Sequence, residues 1–161
     1  MSRAFTREPD GRVPEDLPER PISPHPNWVT PEGFRQIEEH TQQLEQQREQ
    51  AVSDQDMDAL ASIERDLRYW LQRRASAQVV DTESTAQRVR FGSTVTLRQS
   101  NGTEQHFRLV GEDEANPTAG LISWVSPMAQ ALLGREVGEE IEWRGQPVTI
   151  VSCTTDTPTH H

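Results

Sequence analysis

Apolar residues in this chain recur with two different periods, and the change between them near Val89 limits the folds open to it. Between Thr30 and Ala77 they fall three and four apart, whereas from Val89 onward they alternate. The first spacing gathers side chains on one stripe of a helix, and the second gathers them on one face of a strand. Helices followed by strands, in separate runs, define an α+β protein.

The helical region opens with Thr30-Pro31-Glu32-Gly33-Phe34. Thr30 suits the N-cap, Pro31 the first helical position and Glu32 the positive end of the helix dipole. Phe34, Ile37, Thr41, Leu44, Arg48 and Ala51 come next as the seam of a heptad, which weakens toward Arg48 and Ala51. A second stripe carries Leu60, Ile63, Leu67, Trp70 and Leu71 and ends near Ala75 or Ala77. Neither helix can bury its stripe alone. An antiparallel coiled-coil hairpin over residues 30–79 satisfies both, with its turn near Val52–Asp54. Arms of about 22 residues would each be about 33 Å long.

Residues 80–155 read as a small antiparallel β-sheet domain with one short helix. Two strand-like runs flank Ser100-Asn101-Gly102, a hairpin signal, and Gly120–Trp124 supplies a third. Ser126-Pro127 opens the short helix, with Gly134 past its end, and two final strands meet at Arg144-Gly145.

Six of the eleven prolines lie within residues 1–29, which predicts a disordered or extended tail, with Trp28 and Val29 able to tuck against the helical region. Residues 156–161 read as a frayed tail whose His160 and His161 are surface residues. A net charge of −10 opposes attraction to phosphate backbones, so nucleic acid is expected only indirectly. All sixteen basic residues are Arg, which codon bias explains more simply than selection for bidentate donors. A single cysteine, Cys153 in an apolar run, fits a packed thiol in a reducing compartment. With no membrane-length apolar run and no signal-peptide core, the expected location is cytoplasmic, and the expected state a monomer.

The chemical candidates are few. Asp54, Asp56 and Asp58 alternate as in a calcium loop, but Ala59 stands where the turn glycine belongs and Arg65 where the bidentate Glu belongs. Capping of the second helix, with Ser53-Asp54-Gln55-Asp56 as a capping box, explains them without a metal. His40 and His106 have no nucleophile pattern near them. Arg65, Arg68, Arg73 and Arg74, interleaved with Tyr69 and Trp70, form a basic cluster. That cluster could meet nucleic acid or an acidic partner, or be a solvated face paired with Glu64 and Asp66.

Phe91-Gly92-Ser93, Gly111-Glu112-Asp113-Glu114-Ala115, Ser126-Pro127, Ala131-Leu132-Leu133-Gly134 and Val137-Gly138 together resemble the C-terminal domain of the GreA/GreB family of bacterial transcription elongation factors. The segments before and after the hairpin, from Thr30 and from Ser76, are also similar to that family. The resemblance implies an N-terminal coiled coil and an FKBP-like C-terminal domain. It further implies binding to bacterial RNA polymerase at its secondary channel, where the tip carboxylates of family members help hold a second Mg²⁺ in the polymerase active site. Such a factor has no catalytic site or cofactor of its own and shares the metal of another enzyme. Carried onto this chain, the resemblance places the tentative metal-facing role on Asp54, Asp56 and Asp58, and polymerase contact on Glu112, Asp113, Ser126, Pro127 and Met128.

Family tips carry carboxylates three residues apart, and this tip has no Asp-x-x-Glu pair. The arms are also shorter, and each lost turn withdraws the tip by about 5.4 Å. The chain is in this respect similar to the regulator of nucleoside diphosphate kinase. The expectation is therefore a non-enzymatic polymerase-binding regulator, with a true cleavage factor second. An FKBP-like prolyl isomerase or chaperone comes last, since no aromatic pocket is evident among Phe91, Phe107, Trp124 and Trp143.

Overall fold

A computed structural model describes residues 17–81 and 87–155. The residues divide into two units, one of 17–24 with 35–77 and one of 25–34 with 78–155. The tail expected at 156–161 and the start of the Pro-rich segment lie outside the described residues.

The first unit contains most of two helices, α1 (Pro31–Ser53) and α2 (Met57–Ser76). Ile37, Thr41 and Ala51 are the enclosed members of the α1 stripe, and Leu67 is enclosed on α2. Arg48 is exposed, so the seam fails at the position where a charged group replaces an apolar one. Thr41 is tolerated inside because its hydroxyl donates to the Ile37 carbonyl at 2.9 Å. His40 stacks on Trp70 with ring centroids 4.4 Å apart, a pairing across the hairpin.

The turn lies at Asp54–Asp56, two residues beyond its expected place. Asp54 and Asp56 donate their amides to Gln50 and Ala51 at 2.9 and 3.0 Å, and these bonds carry α1 to its close. Gln55 then takes a left-handed φ of 57°, which reverses the chain.

The expected tail is packed in its second half. Glu19 pairs with Arg68 of α2 through bonds of 2.9 and 2.6 Å. Arg20 lies 4.0 Å above the Tyr69 ring and 3.4 Å from the Asp66 carboxylate. Pro18, Pro21 and Pro24 keep this stretch from helix, and an extended strap can match side chains to a neighbouring helix without a core of its own.

In the second unit the chain forms a two-stranded parallel ribbon, β1 (Trp28–Val29) with β2 (Gln78–Val79), and a five-stranded curled sheet. The sheet strands are β3 (Thr94–Gln99), β4 (Glu104–Val110), β5 (Leu121–Ser123), β6 (Glu140–Trp143) and β7 (Gln146–Thr154), ordered β5-β4-β3-β7-β6. β3 and β4 meet at Asn101-Gly102, where Gly102 has φ +89°. β6 and β7 meet at Arg144-Gly145, both with positive φ, as a tight hairpin requires.

The expected sheet was antiparallel throughout, but β5 runs parallel to β4. Two 3₁₀ turns, Glu112–Glu114 and Pro117–Ala119, carry the chain back so that it re-enters in the same direction. The short helix α3 (Pro127–Leu132) packs Ala129 and Leu132 onto the sheet. Val95, Leu97, Leu109 and Ile150 are fully enclosed beneath it. Cys153 is 2% exposed, and burial raises its thiol pKa, as befits a packed rather than a reactive cysteine. Among the described residues no helix is long and apolar enough to cross a membrane.

Candidate functional site

At the hairpin tip the three aspartates have separate local duties. Asp56 is the N-cap of α2, its Oδ1 accepting from the Ala59 amide at 3.1 Å. This is the capping expected from the sequence, with the cap at Asp56 in place of Ser53. Asp54 Oδ1 accepts from the Gln50 side-chain amide at 3.0 Å. Asp58 lies in the first turn of α2, where the helix dipole favours an anion. All three are exposed, flanked by Val52 and Met57, which are also exposed. Among the described residues no group of three metal-ligating side chains could hold an ion.

The basic cluster on α2 is not a continuous open face. Arg73 is 1% exposed and lies 6.0 Å from the centroid of Tyr69. Arg65 is half-buried and contacts Asp66 at 3.4 Å. Arg68 is exposed but takes the Glu19 carboxylate on its fork, and the bond from Arg68 holds the Glu19 pKa below its usual value. Only Arg74 of the four is exposed with no described ion pair. Glu19 and Arg20 were missed from sequence because a proline-rich stretch reads as a tail; the available signal was a Glu-Arg pair within a chain whose one Arg-Tyr-Trp helix could receive it.

In the β unit, the parallel pairing of β4 and β5 decides where the other candidates fall. Val110 is the register partner of Ser123, so the two strands end side by side. Trp124 donates its amide to the Val110 carbonyl at 2.8 Å, which ties the departing loops together. Glu112 and Asp113 stand half-buried on the first loop. On the second, Ser126 Oγ caps α3 by accepting from the Ala129 amide at 3.3 Å. Pro127 at the first helical position is exposed, and Met128 packs partly against the core. An antiparallel β5 would have sent these loops to opposite ends of the sheet.

Of the four aromatic residues weighed for a pocket, Phe107 and Trp143 do line one. With Leu97, Ile122, Met128 and Val148 they border a groove of about 400 Å³. Phe91 and Trp124 go elsewhere: Trp28 stacks on Trp124 at 4.3 Å between centroids and meets Phe91 edge-on at 5.8 Å.

A family model described as "Transcription elongation factor, GreA/GreB, C-term" matches residues 83–155. Transcription elongation factor GreA of Nitratidesulfovibrio vulgaris is 31% identical over 132 residues, covering 70% of this chain and 81% of that protein. This chain belongs to the GreA/GreB family. GreA of Nautilia profundicola is 52% identical over 68 residues, which is 41% of this chain and 42% of that protein. The chain thus matches less than half the length of some curated relatives. The solved structure of GreA/GreB from Nitrosomonas europaea is 25% identical and covers 80% of this chain and 98% of its own, with a TM-score of 0.40.

Proposed function

We propose that this chain regulates transcription elongation by binding RNA polymerase at its secondary channel, without strong stimulation of transcript cleavage. The docking half of this reading rests on the paired loops at the ends of β4 and β5. Exposed Pro127 beside Met128 offers an apolar contact, and Glu112 and Asp113 offer charge to orient a basic partner.

The observation that carries the second half is the tip. Asp56 is spent closing α2 and Asp54 is bonded to Gln50, and neither arrangement presents two carboxylates to one ion. A ligand oxygen must come within about 2 Å of Mg²⁺ to coordinate it, so both would have to leave these bonds. Cleavage stimulation through the tip would fall to Asp58, exposed in the first turn of α2.

The test is capture of the protein by purified polymerase core. Wild type is expected to bind and Pro127→Asp to lose most of that binding. Equal capture of the two would remove the loops from the reading.

A further inference from the structure

Two stretches singled out in the sequence, Thr30–Phe34 and Gly111–Ala115, are given no joint role by polymerase docking alone. In the β unit they are halves of one lock. Glu114 Oε2 accepts from the Thr30 amide and from the Gly111 amide, each at 2.9 Å. Glu114 Oε1 accepts from the Thr30 hydroxyl, whose oxygen in turn accepts from the Gly33 amide at 3.0 Å. One carboxylate therefore closes the N-terminus of α1 and the start of the 112–114 turn together.

The glycines are explained by the same carboxylate. A Cβ on Gly33 would lie 2.2 Å from the Glu114 carboxyl carbon. A Cβ on Gly111 would lie 2.9 Å from Glu114 Oε2 and 2.3 Å from the Trp28 carbonyl oxygen. A glycine in the first turn of a helix is otherwise a poor choice, since Ala is favoured there by about 1 kcal/mol. Thr30 is 1% exposed, so nothing but Glu114 stands ready to receive its amide.

We infer that Glu114 is a positioning residue, which locks the first turn of α1 and the loop bearing Glu112 and Asp113 into one piece. Its importance to polymerase docking rests on the proposed function; the lock itself does not. Glu112 and Asp113 then owe their presentation to a side chain that touches no partner.

The lock has a genetic signature that simple loss of stability lacks. Glu114→Ala frees the Thr30 and Gly111 amides, and their hydrogen exchange should rise about tenfold or more. Gly33→Ala should do the same by evicting the Glu114 side chain. In the Glu114→Ala background, however, Gly33→Ala has nothing to evict and should add no further increase. Glu114→Gln keeps a carbonyl oxygen for both amides and should stay within a few-fold of wild type.

Multiplying effects in the double variant, or unchanged exchange at Thr30 and Gly111 in Glu114→Ala, would overturn the lock. In polymerase capture, Glu114→Ala should bind about tenfold more weakly and Glu114→Gln close to wild type, a loss of about 1.4 kcal/mol in the first case. Full binding by Glu114→Ala would overturn its positioning role. If wild type itself failed to bind, the proposed function would fall while the exchange experiment still decided the lock.

Discussion

The two units enclose different kinds of side chain. In the β unit the residues fully removed from solvent are mainly aliphatic, among them Val95, Leu97, Leu109, Leu132 and Ile150. In the hairpin unit Ile37, Ala51 and Leu67 share the interior with Thr41 and Arg73. Aliphatic burial needs only shape and area, but a buried hydroxyl or guanidinium needs partners in fixed directions. The hairpin therefore takes support from outside its seam, through the His40–Trp70 stack and the strap of Glu19 and Arg20. A β unit held by a core and a hairpin held by polar pairing should respond differently to substitution, pH and salt.

The largest expected effect is in the β core. Leu109→Ala should cost about 2–5 kcal/mol, read from urea unfolding followed by near-UV dichroism. On the hairpin, Leu67→Ala should cost about 2 kcal/mol, because its half-buried neighbours can close over the vacated space. A larger loss at Leu67 than at Leu109 would reverse the contrast between the units. Asp56→Ala removes the cap of α2 and should cost about 1 kcal/mol, seen as earlier loss of helical ellipticity in urea.

Arg20→Ala, which removes the cation over Tyr69 and the pair with Asp66, should cost about 0.5–1 kcal/mol. The smallest effect belongs to Glu19. Its folded pKa is lowered by Arg68, so its contribution is present above its unfolded pKa and is lost as pH falls through the lowered value. Strap docking, followed by exchange of the Glu19–Arg20 amides, should weaken in acid and in high salt. Docking that strengthened on acidification would refute the pairing as its source.

The legibility of the fold follows the same contrast. Val95 and Leu97 alternate with Thr94 and Thr96, and that alternation alone announces β3 and its buried face. The Asn101-Gly102 and Arg144-Gly145 turns are equally plain, since positive φ selects the residues. The direction of β5 was not legible, because three residues carry no sign of which way they run. The strap was hidden by its prolines, which signal only that a helix is excluded, and say nothing of a partner 49 residues away. Capping at the tip was readable and its register was not: Ser53 and Asp56 are both good N-caps, and the choice between them is made by where α1 ends. Gly33 was the unread clue at the other end, a helix-weakening residue kept at a place where Glu114 leaves no room for a side chain.

The central claim is that this member of the GreA/GreB family docks on polymerase without strongly promoting cleavage. The most direct measurement is RNA shortening in backtracked polymerase complexes at factor concentrations shown to saturate binding. The account predicts saturable binding with transcripts that remain near full length, and little change on Asp54→Ala. Rapid shortening that is abolished by replacing the tip aspartates would contradict it.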